Sequence, residues 1–77
     1  MTDQDKTEFS SIQLTINGEK RQVDASITVL QLLETMELKG KPVAVERNLM
    51  IVPFRQYAET TLENGDSLEI VTLVGGG

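Results

Sequence analysis

The chain contains no cysteine, no histidine and no tryptophan, and its aromatic side chains are one tyrosine and two phenylalanines. The absence of cysteine excludes disulfides, thiolate nucleophiles and thiolate metal sites. The absence of histidine removes the commonest general base and the commonest metal ligand. Because no such base can activate them, the serine and threonine hydroxyls are poor nucleophiles, and the sequence argues against catalysis by this chain.

Positive charge is also scarce. Lysine and arginine total 7 against 12 aspartate and glutamate residues, which gives a formal net charge of −5. Binding to nucleic acid needs clustered cations that neutralise phosphates. The sequence has no such cluster, so we expect no nucleic-acid partner. An acidic surface instead favours a protein partner with a basic docking face.

Long apolar runs are absent too. No stretch is long enough to span a bilayer, so we expect no membrane association. The N-terminus lacks a basic segment followed by an apolar stretch, and it therefore does not resemble a signal peptide. From these features we expect a cytoplasmic protein.

The 77 residues are enough for one small domain. Residues 1–10 are polar and acidic without any periodicity, and we predict a disordered leader there. Residues 11–74 carry periodic apolar patterns and form the predicted domain. Residues 75–77 are all glycine. We predict a flexible tail for them, because glycine loses more backbone freedom on ordering than any other residue.

The first part of the domain predicts a β-hairpin. Apolar residues alternate with polar ones at the period of a half-buried strand, at Ile12, Leu14 and Ile16. The dipeptide Asn17-Gly18 follows. It favours a tight type I′ turn, because both central positions of that turn need a positive φ. We predict the return strand over residues 19–24.

A helix is predicted to begin at Thr28. Thr28-x-x-Gln31 has the form of a capping box, in which the two side chains satisfy backbone N–H groups that have no partner in the first turn. Apolar residues then recur at helical spacing and form one stripe, at Val29, Leu32, Leu33 and Met36. Lys39 suits the negative end of a helix, and Gly40 is placed for a left-handed C-cap.

The second half of the domain predicts shorter extended segments. The segment at residues 43–46 is followed by a polar turn at Arg47-Asn48 and by a strand at residues 49–52. Pro53 ends that strand, since proline cannot donate to a strand ladder. We predict a loop or a short helical turn over residues 54–61.

A last strand completes the predicted sheet. A turn at residues 63–66 precedes this strand, and Leu68 and Ile70 are predicted to point inward. With one helix between the hairpin and the later strands, the first and last strands can pair in parallel at the centre of the sheet. The predicted fold class is therefore α+β, with a sheet packed on one main helix.

The last strand runs directly into Val74-Gly75-Gly76-Gly77. A glycine run adds nothing to a core. Because it has no Cβ atoms, it forms a thin arm that can enter a narrow channel in another protein. The arm carries the α-carboxylate of Gly77. We therefore interpret the tail as the working end of the molecule.

In their order and spacing these motifs resemble the β-grasp, or ubiquitin-like, superfamily, and within it the bacterial sulfur carriers of thiamine biosynthesis, the ThiS type. The resemblance covers about residues 11–77. The segments that carry it are Leu14-x-Ile16-Asn17-Gly18-Glu19, Thr28-Val29-x-x-Leu32-Leu33, Val43-Ala44-Val45-Glu46, Ile51-Val52-Pro53, Leu62-x-x-Gly65-Asp66-x-Leu68-Glu69-Ile70-Val71 and Val74-Gly75-Gly76-Gly77. The chain departs from the family at Arg47-Asn48-Leu49-Met50, where members more often have turn residues of the Asn-Gly type.

The resemblance implies a β-grasp fold, with a mixed sheet of about four or five strands on one helix. It also implies that an E1-like adenylyltransferase of the ThiF type, using ATP and Mg²⁺, adenylates the carboxylate of Gly77. Sulfur relayed from a cysteine desulfurase then replaces AMP and leaves a thiocarboxylate, whose sulfur passes to a thiazole synthase of the ThiG type. Gly75 and Gly76 are the arm that enters each partner's active site. The chain itself binds no cofactor or metal and is not an enzyme.

Docking onto these partners is predicted at the end of the last strand, through Val71, Leu73 and Val74. The alternative is that Val71 and Leu73 pack under the loop at residues 54–61. Two alternatives also stand for the function. One is the related carrier that supplies sulfur to molybdopterin synthase, which shares the fold and the terminal diglycine. The other is a ubiquitin-like modifier that is joined to lysines of target proteins.

Overall fold

The computed structural model describes residues 10–73. Most of the predicted leader, and Val74 with the glycine tail at residues 75–77, therefore lie outside the described residues. In chain order the elements are β1 (Ser11–Ile16), β2 (Glu19–Asp24), α1 (Val29–Thr35), β3 (Val43–Arg47), β4 (Met50–Ile51), a 3₁₀ helix (Phe54–Gln56) and β5 (Ser67–Thr72).

The five strands form one mixed sheet in the order β2-β1-β5-β3-β4. β1 and β5 pair in parallel at its centre, and the other neighbouring strands pair antiparallel. This arrangement confirms the predicted α+β fold and the central parallel pair. It follows from the helical connection between the two hairpins, because a strand that returns parallel to the first needs a crossover.

The first hairpin forms at the predicted residues. Asn17 and Gly18 have φ values of 52° and 87°, which is the backbone of a type I′ turn. The register places Ile16 opposite Glu19 and Ser11 opposite Asp24. The turn residues therefore set the pairing, and the alternation puts the apolar side chains of β1 on a single face.

The start of α1 also agrees with the prediction. The N–H of Gln31 donates to Thr28 Oγ1 at 3.1 Å, and the N–H of Thr28 donates to Gln31 Oε1 at 3.0 Å. These two bonds are the reciprocal pair of a capping box. The apolar stripe faces inward, with Val29, Leu32 and Leu33 buried.

The predicted end of the helix was wrong. α1 stops at Thr35, and the left-handed residue that caps it is Glu37, with a φ of 62°, whereas Gly40, with a φ of 83°, lies in the following turn. The N–H of Leu38 donates to the carbonyl of Leu33 at 2.8 Å, which is the long bond of a Schellman motif. Leu38 packs against the core, and this apolar contact explains why the chain turns earlier than the glycine. Lys39, beyond the last helical turn, forms an exposed ion pair with Glu34 at 3.1 Å.

The turn of the second hairpin was predicted one residue too early. Its central residues are Asn48 and Leu49, with φ values of 51° and 73°, because Arg47 still pairs with Met50. A leucine in this region costs about 1–2 kcal/mol. The predicted strand at residues 49–52 shortens to Met50–Ile51. The 3₁₀ helix lies in the segment predicted as a loop or short helical turn.

The core lies between α1 and one face of the sheet. Both β1 and β5 contribute alternate residues to it, and Leu68 and Ile70 point inward as predicted. The side chains with almost no exposed surface are Leu14, Val29, Leu32, Val45, Leu62 and Leu68. Within residues 10–73, the β5 side chains on the second face of the sheet, Ser67, Glu69 and Val71, are exposed, so this side of β5 is available for contacts with other proteins.

Candidate functional site

The candidate site is the point where β5 leaves the sheet. Parallel pairing with β1 runs only from Thr15–Ser67 to Ile16–Leu68. Pairing with β3 continues as far as Val43–Thr72. The N–H of Leu73 then donates to the carbonyl of Pro42 at 2.8 Å. We call residues 71–73 the β5 exit. The exit therefore extends beyond β1 and is supported from the β3 side.

The side chains of the β5 exit face solvent. Val71 is 54 % exposed and Leu73 is 50 % exposed, whereas Ile70 is only 6 % exposed. Neither Val71 nor Leu73 belongs to the core or packs against it. Packing under the loop at residues 54–61 therefore does not account for these two side chains. They offer apolar surface directly before Val74 and the three glycines.

The open face beside the exit is acidic. Val71 lies opposite Ala44, and in the next row Glu69 lies directly opposite Glu46. Like charges that face each other across two strands destabilise a sheet, and a cation from a binding partner would relieve this repulsion. The surface next to the exit thus combines the small apolar side chains of Val71 and Ala44 with the carboxylates of Glu46 and Glu69.

Tyr57 supports the same region from the core side. Its side chain is buried, and its hydroxyl donates to the carbonyl of Val43 at 3.4 Å. Burial raises the pKa of the Tyr57 phenol above its ordinary value. The hydroxyl therefore stays protonated near neutral pH, where it can donate to the first residue of β3, which pairs with the exit.

A side chain also holds β5 on its β1 side, just before the exit. The Asn17 Nδ2 donates to the carbonyl of Ile70 at 3.0 Å, and the N–H of Ile70 donates to Asn17 Oδ1 at 2.8 Å. The sequence predicts Asn17 only as a residue of the type I′ turn. Its contact with Ile70 spans 53 positions of the chain, which no local pattern reveals.

Asp66 anchors the opposite end of β5. It is the one charged residue that is buried among residues 10–73, with 7 % of its surface exposed. Its carboxylate accepts bonds from Arg47 Nε at 2.8 Å, Asn48 Nδ2 at 3.0 Å and the N–H of Glu63 at 2.9 Å. Burial opposes ionisation of Asp66, but these bonds and the Arg47 charge outweigh it and hold the pKa of the carboxyl below its ordinary value.

We predict that Asp66→Asn removes part of the acid sensitivity of the fold. Because the folded-state pKa of Asp66 lies below the ordinary value of 3.8, the unfolded chain binds more protons below about pH 5. The stabilisation by this carboxylate is complete above that pH and is lost as the pH falls through the folded-state pKa. The variant should be less stable at pH 7 by about 1–3 kcal/mol, and much closer to wild type in strong acid.

Urea unfolding at neutral pH and in acid checks this prediction for Asp66. Asp24→Asn is the control, since Asp24 is an exposed aspartate on β2. A free energy of unfolding that falls with acid equally in wild type and in Asp66→Asn would show that Asp66 does not carry the effect.

A second group of exposed apolar side chains lies on the β3–β4 hairpin and the 3₁₀ helix. Its members are Leu49, Met50, Ile51 and Phe54. The ring of Phe54 contacts that of Tyr57 edge-on, with 5.5 Å between centroids. Leu49 and Met50 lie beside Arg47, which is paired with Leu68 rather than with the exit, so this turn forms no part of the candidate site.

The structure brings some of the predicted site residues together and leaves others undescribed. Val71 and Leu73 are both exposed at the exit, while Val74, Gly75, Gly76 and Gly77 lie outside the described residues. Within residues 10–73, no group of three or more acidic side chains is placed to hold a metal ion. In the same range, no helix has the length and apolar character needed to cross a membrane.

Comparison with known proteins identifies the family. The model of the ThiS family matches residues 14–77, from the middle of β1 through the last glycine. The chain belongs to the ThiS family. The resemblance predicted from the sequence is thereby confirmed, and the match includes the tail as well as the sheet.

Individual ThiS relatives agree with this assignment. The sulfur carrier protein ThiS of Escherichia coli is 30 % identical over 66 residues, which are 86 % of this chain and 100 % of that protein. The crystal structure of the thiamine biosynthesis protein ThiS from Geobacter metallireducens superposes with a TM-score of 0.73 at 32 % identity, covering 86 % of this chain and 100 % of that one. These comparisons confirm the β-grasp fold.

This chain is also similar to one segment of a much longer protein, a thiazole synthase. The thiazole synthase of Paramagnetospirillum magneticum is 50 % identical over 66 residues, which are 86 % of this chain. This chain spans only 20 % of the length of that protein. A ThiS-like segment and further sequence thus occur there in one polypeptide.

Proposed function

We propose that this ThiS-family chain is the sulfur carrier of thiamine biosynthesis, and that its cargo is held at the α-carboxylate of Gly77. The observation that supports this most strongly is the family match, which continues through the β5 exit to the last glycine. The sequence adds that neither cysteine nor histidine is present. The terminal carboxylate is therefore the group on this chain best suited to carry sulfur.

The proposed chemistry begins with activation. A carboxylate is a poor electrophile, and an adenylyltransferase of the ThiF type uses ATP and Mg²⁺ to join Gly77 to AMP. Pyrophosphate leaves in this step. A persulfide of a cysteine desulfurase relay then displaces AMP, which leaves with one of the carboxylate oxygens, and a thiol reductant cleaves the resulting acyl disulfide. The product is a thiocarboxylate. This chain acts as a protein substrate and carrier throughout, while ATP, Mg²⁺ and the catalytic groups belong to its partners.

Glycine suits the arm that presents this group. Gly75 and Gly76 have no Cβ atoms, so a narrow channel in a partner can surround their backbone closely. The β5 exit is secured to Pro42 by a backbone hydrogen bond of 2.8 Å. We propose that the sheet provides a fixed base for the arm, and that the arm alone enters the partner's active site.

Docking is proposed on the open face beside the exit, through Val71, Leu73 and Val74. Half of the Val71 surface is exposed, at 54 %, and the Glu46–Glu69 pair lies in the next row of the sheet. This combination suits an apolar partner surface that carries an arginine or a lysine. Such a cation would pair with both carboxylates and relieve their repulsion.

Val71→Asp tests this docking surface. The new charge must lose its hydration when the partner binds, so we expect KM for the adenylyltransferase to rise about tenfold, or 1.4 kcal/mol, with kcat unchanged. Gln22→Asp is the matched control, because Gln22 is exposed on β2 at the far edge of the same face. Equal KM values for both variants would show that docking uses another surface.

The proposed sulfur acceptor is a thiazole synthase of the ThiG type. The relative from Paramagnetospirillum magneticum supports it, because that thiazole synthase contains a segment 50 % identical to this chain. Complementation of thiamine and molybdenum-cofactor auxotrophs in parallel tests the acceptor. We expect growth without thiamine to be restored in the first strain. Rescue of the molybdenum-cofactor strain alone would overturn the proposal.

A further inference from the structure

We propose that Asn17 is a positioning residue for the C-terminal tail, and this inference rests on the proposed function of Gly77. Its side chain occupies the place that a further β1 residue would take beside β5. In this role it sets the direction in which the chain leaves the sheet toward Gly77. It acts on the reacting carboxylate through β5.

The geometry around Asn17 supports this role. The backbone pairing of β1 with β5 stops at Ile16–Leu68, and the N–H of Asn17 still donates to the carbonyl of Leu68 at 2.9 Å. The chain then turns away into the hairpin, but the Asn17 amide bonds both the N–H and the carbonyl of Ile70, at 2.8 Å and 3.0 Å. The Asn17 side-chain amide thus makes the two hydrogen bonds to Ile70 that the backbone of a longer β1 would make.

Support on both sides of β5 restricts the orientation of Ile70. On the β3 side the flanking residues Glu69 and Val71 pair with Glu46 and Ala44, and on the β1 side the Asn17 amide bonds Ile70 itself. Without the amide, β5 would be held from the β3 side alone over its last residues. A strand held on one side twists more freely than one held on both.

A small rotation of the backbone at Ile70 displaces the residues that follow it. Residues 71–73 follow it and form the base of the tail, and fully extended they span about 10 Å. A rotation of about 10° at Ile70 would then move the base of the tail by about 2 Å. Misplacement of a reacting group by a single ångström already reduces rates strongly.

Asn48 offers a matched control. It occupies the same position in the second hairpin, with a φ of 51° against 52° for Asn17. Its amide also holds β5, because the N–H of Ser67 donates to Asn48 Oδ1 at 2.9 Å. Asn48 differs in holding the start of the strand instead of the exit. If Asn17 only stabilised the fold, removing either amide should have the same consequences.

The experiment compares Asn17→Gly with Asn48→Gly. Glycine adopts the positive φ that both turns need, so each hairpin is kept while its amide is lost. Asn17→Asp is a second test, since aspartate suits the turn but cannot donate to the Ile70 carbonyl. Thermal stability, ¹⁵N relaxation of residues 71–73, and thiocarboxylate formation with the adenylyltransferase, ATP, Mg²⁺ and sulfide are measured for each.

We expect both Asn17 variants to lower kcat for thiocarboxylate formation about tenfold, with a smaller change in KM because every side chain of the docking face is retained. The heteronuclear NOE of residues 71–73 should fall in the same two variants. Asn48→Gly should change neither quantity, even where it lowers the melting temperature as much. Equal kcat values and equal NOE values for Asn17→Gly and Asn48→Gly would overturn the proposal.

Failure of the proposed function has a different signature. If wild type forms no thiocarboxylate, the sulfur-carrier function fails, and the relaxation data still decide about Asn17. A loss of order at residues 71–73 that is specific to the Asn17 variants would support the positioning role. The same order in all variants would contradict it.

Discussion

Removal of Gly77 is expected to abolish thiocarboxylate formation. The shortened chain still has a terminal carboxylate, on Gly76, but this group lies about 3.5 Å closer to the sheet. The adenylyltransferase would have to bring it to ATP while the docking face of β5 stays in place. A displacement of this size removes the alignment between carboxylate and ATP on which a rapid reaction depends.

Extension of the chain provides the complementary variant. An alanine added after Gly77 moves the carboxylate outward by about the same distance and adds a Cβ atom to the arm. We expect loading to be lost here too. Removal of residues 2–9 is the control, because it shortens the chain at its other end and leaves the tail intact. Mass spectrometry of the reaction mixtures distinguishes loaded from unloaded protein. Full loading of the chain that lacks Gly77 would show that the sulfur is held elsewhere.

Leu33→Ala is expected to destabilise the fold by about 2–5 kcal/mol. Leu33 is 2 % exposed, and its carbonyl accepts the bond from Leu38 that closes the helix end. Truncation removes apolar contacts and leaves a cavity between α1 and the sheet. Total stability for a chain of this length is about 4–11 kcal/mol, so the variant should unfold at a much lower temperature.

Thermal melts followed by circular dichroism measure the effect of Leu33→Ala. Glu34→Ala is the control on the same helix, because the Glu34 side chain is 43 % exposed and forms only a surface ion pair with Lys39. Such a pair contributes about 0–1 kcal/mol. A melting curve for Leu33→Ala that coincides with wild type would contradict the assignment of the core face of α1.

Local patterns in the sequence predicted much of this fold. Alternation in β1, the Asn17-Gly18 turn and the Thr28–Gln31 capping box each depend on neighbouring residues, so their physical causes can be read directly from the chain. The parallel pairing of β1 with β5 followed from chain topology, because few arrangements of a hairpin, a helix and later strands are possible.

The errors arose where contacts between distant residues overrode local preference. Gly40 does adopt a left-handed backbone, but packing of Leu38 against the core makes Glu37 the residue that caps the helix, three positions earlier. Leu49 adopts a positive φ because the register of β3 with β4 and the contacts of Asn48 with Asp66 and Ser67 set the turn. These long-range contacts have no signature in the local sequence.

In the candidate site, too, some features can be predicted from the sequence and others are seen only in the structure. The glycine tail is predicted from its composition, and Val71 and Leu73 from their outward register beside it, and their roles stay predictions. The sequence did not predict that the Asn17 amide bonds Ile70. It also did not predict that Asp66 is buried and anchors the start of β5. In both cases the residue also suits a turn, and the turn alone explained its presence in the sequence.

The central claim is that Gly77 carries sulfur, and intact-mass spectrometry tests it most directly. The full chain is incubated with the ThiF-type adenylyltransferase, ATP, Mg²⁺ and a sulfur donor, and tandem fragmentation then locates any mass change. We predict a gain equal to one exchange of oxygen for sulfur, confined to Gly77 and absent when ATP is omitted. An unchanged mass, a sulfur atom at another residue, or conversion of the chain into conjugates with other proteins would contradict the claim.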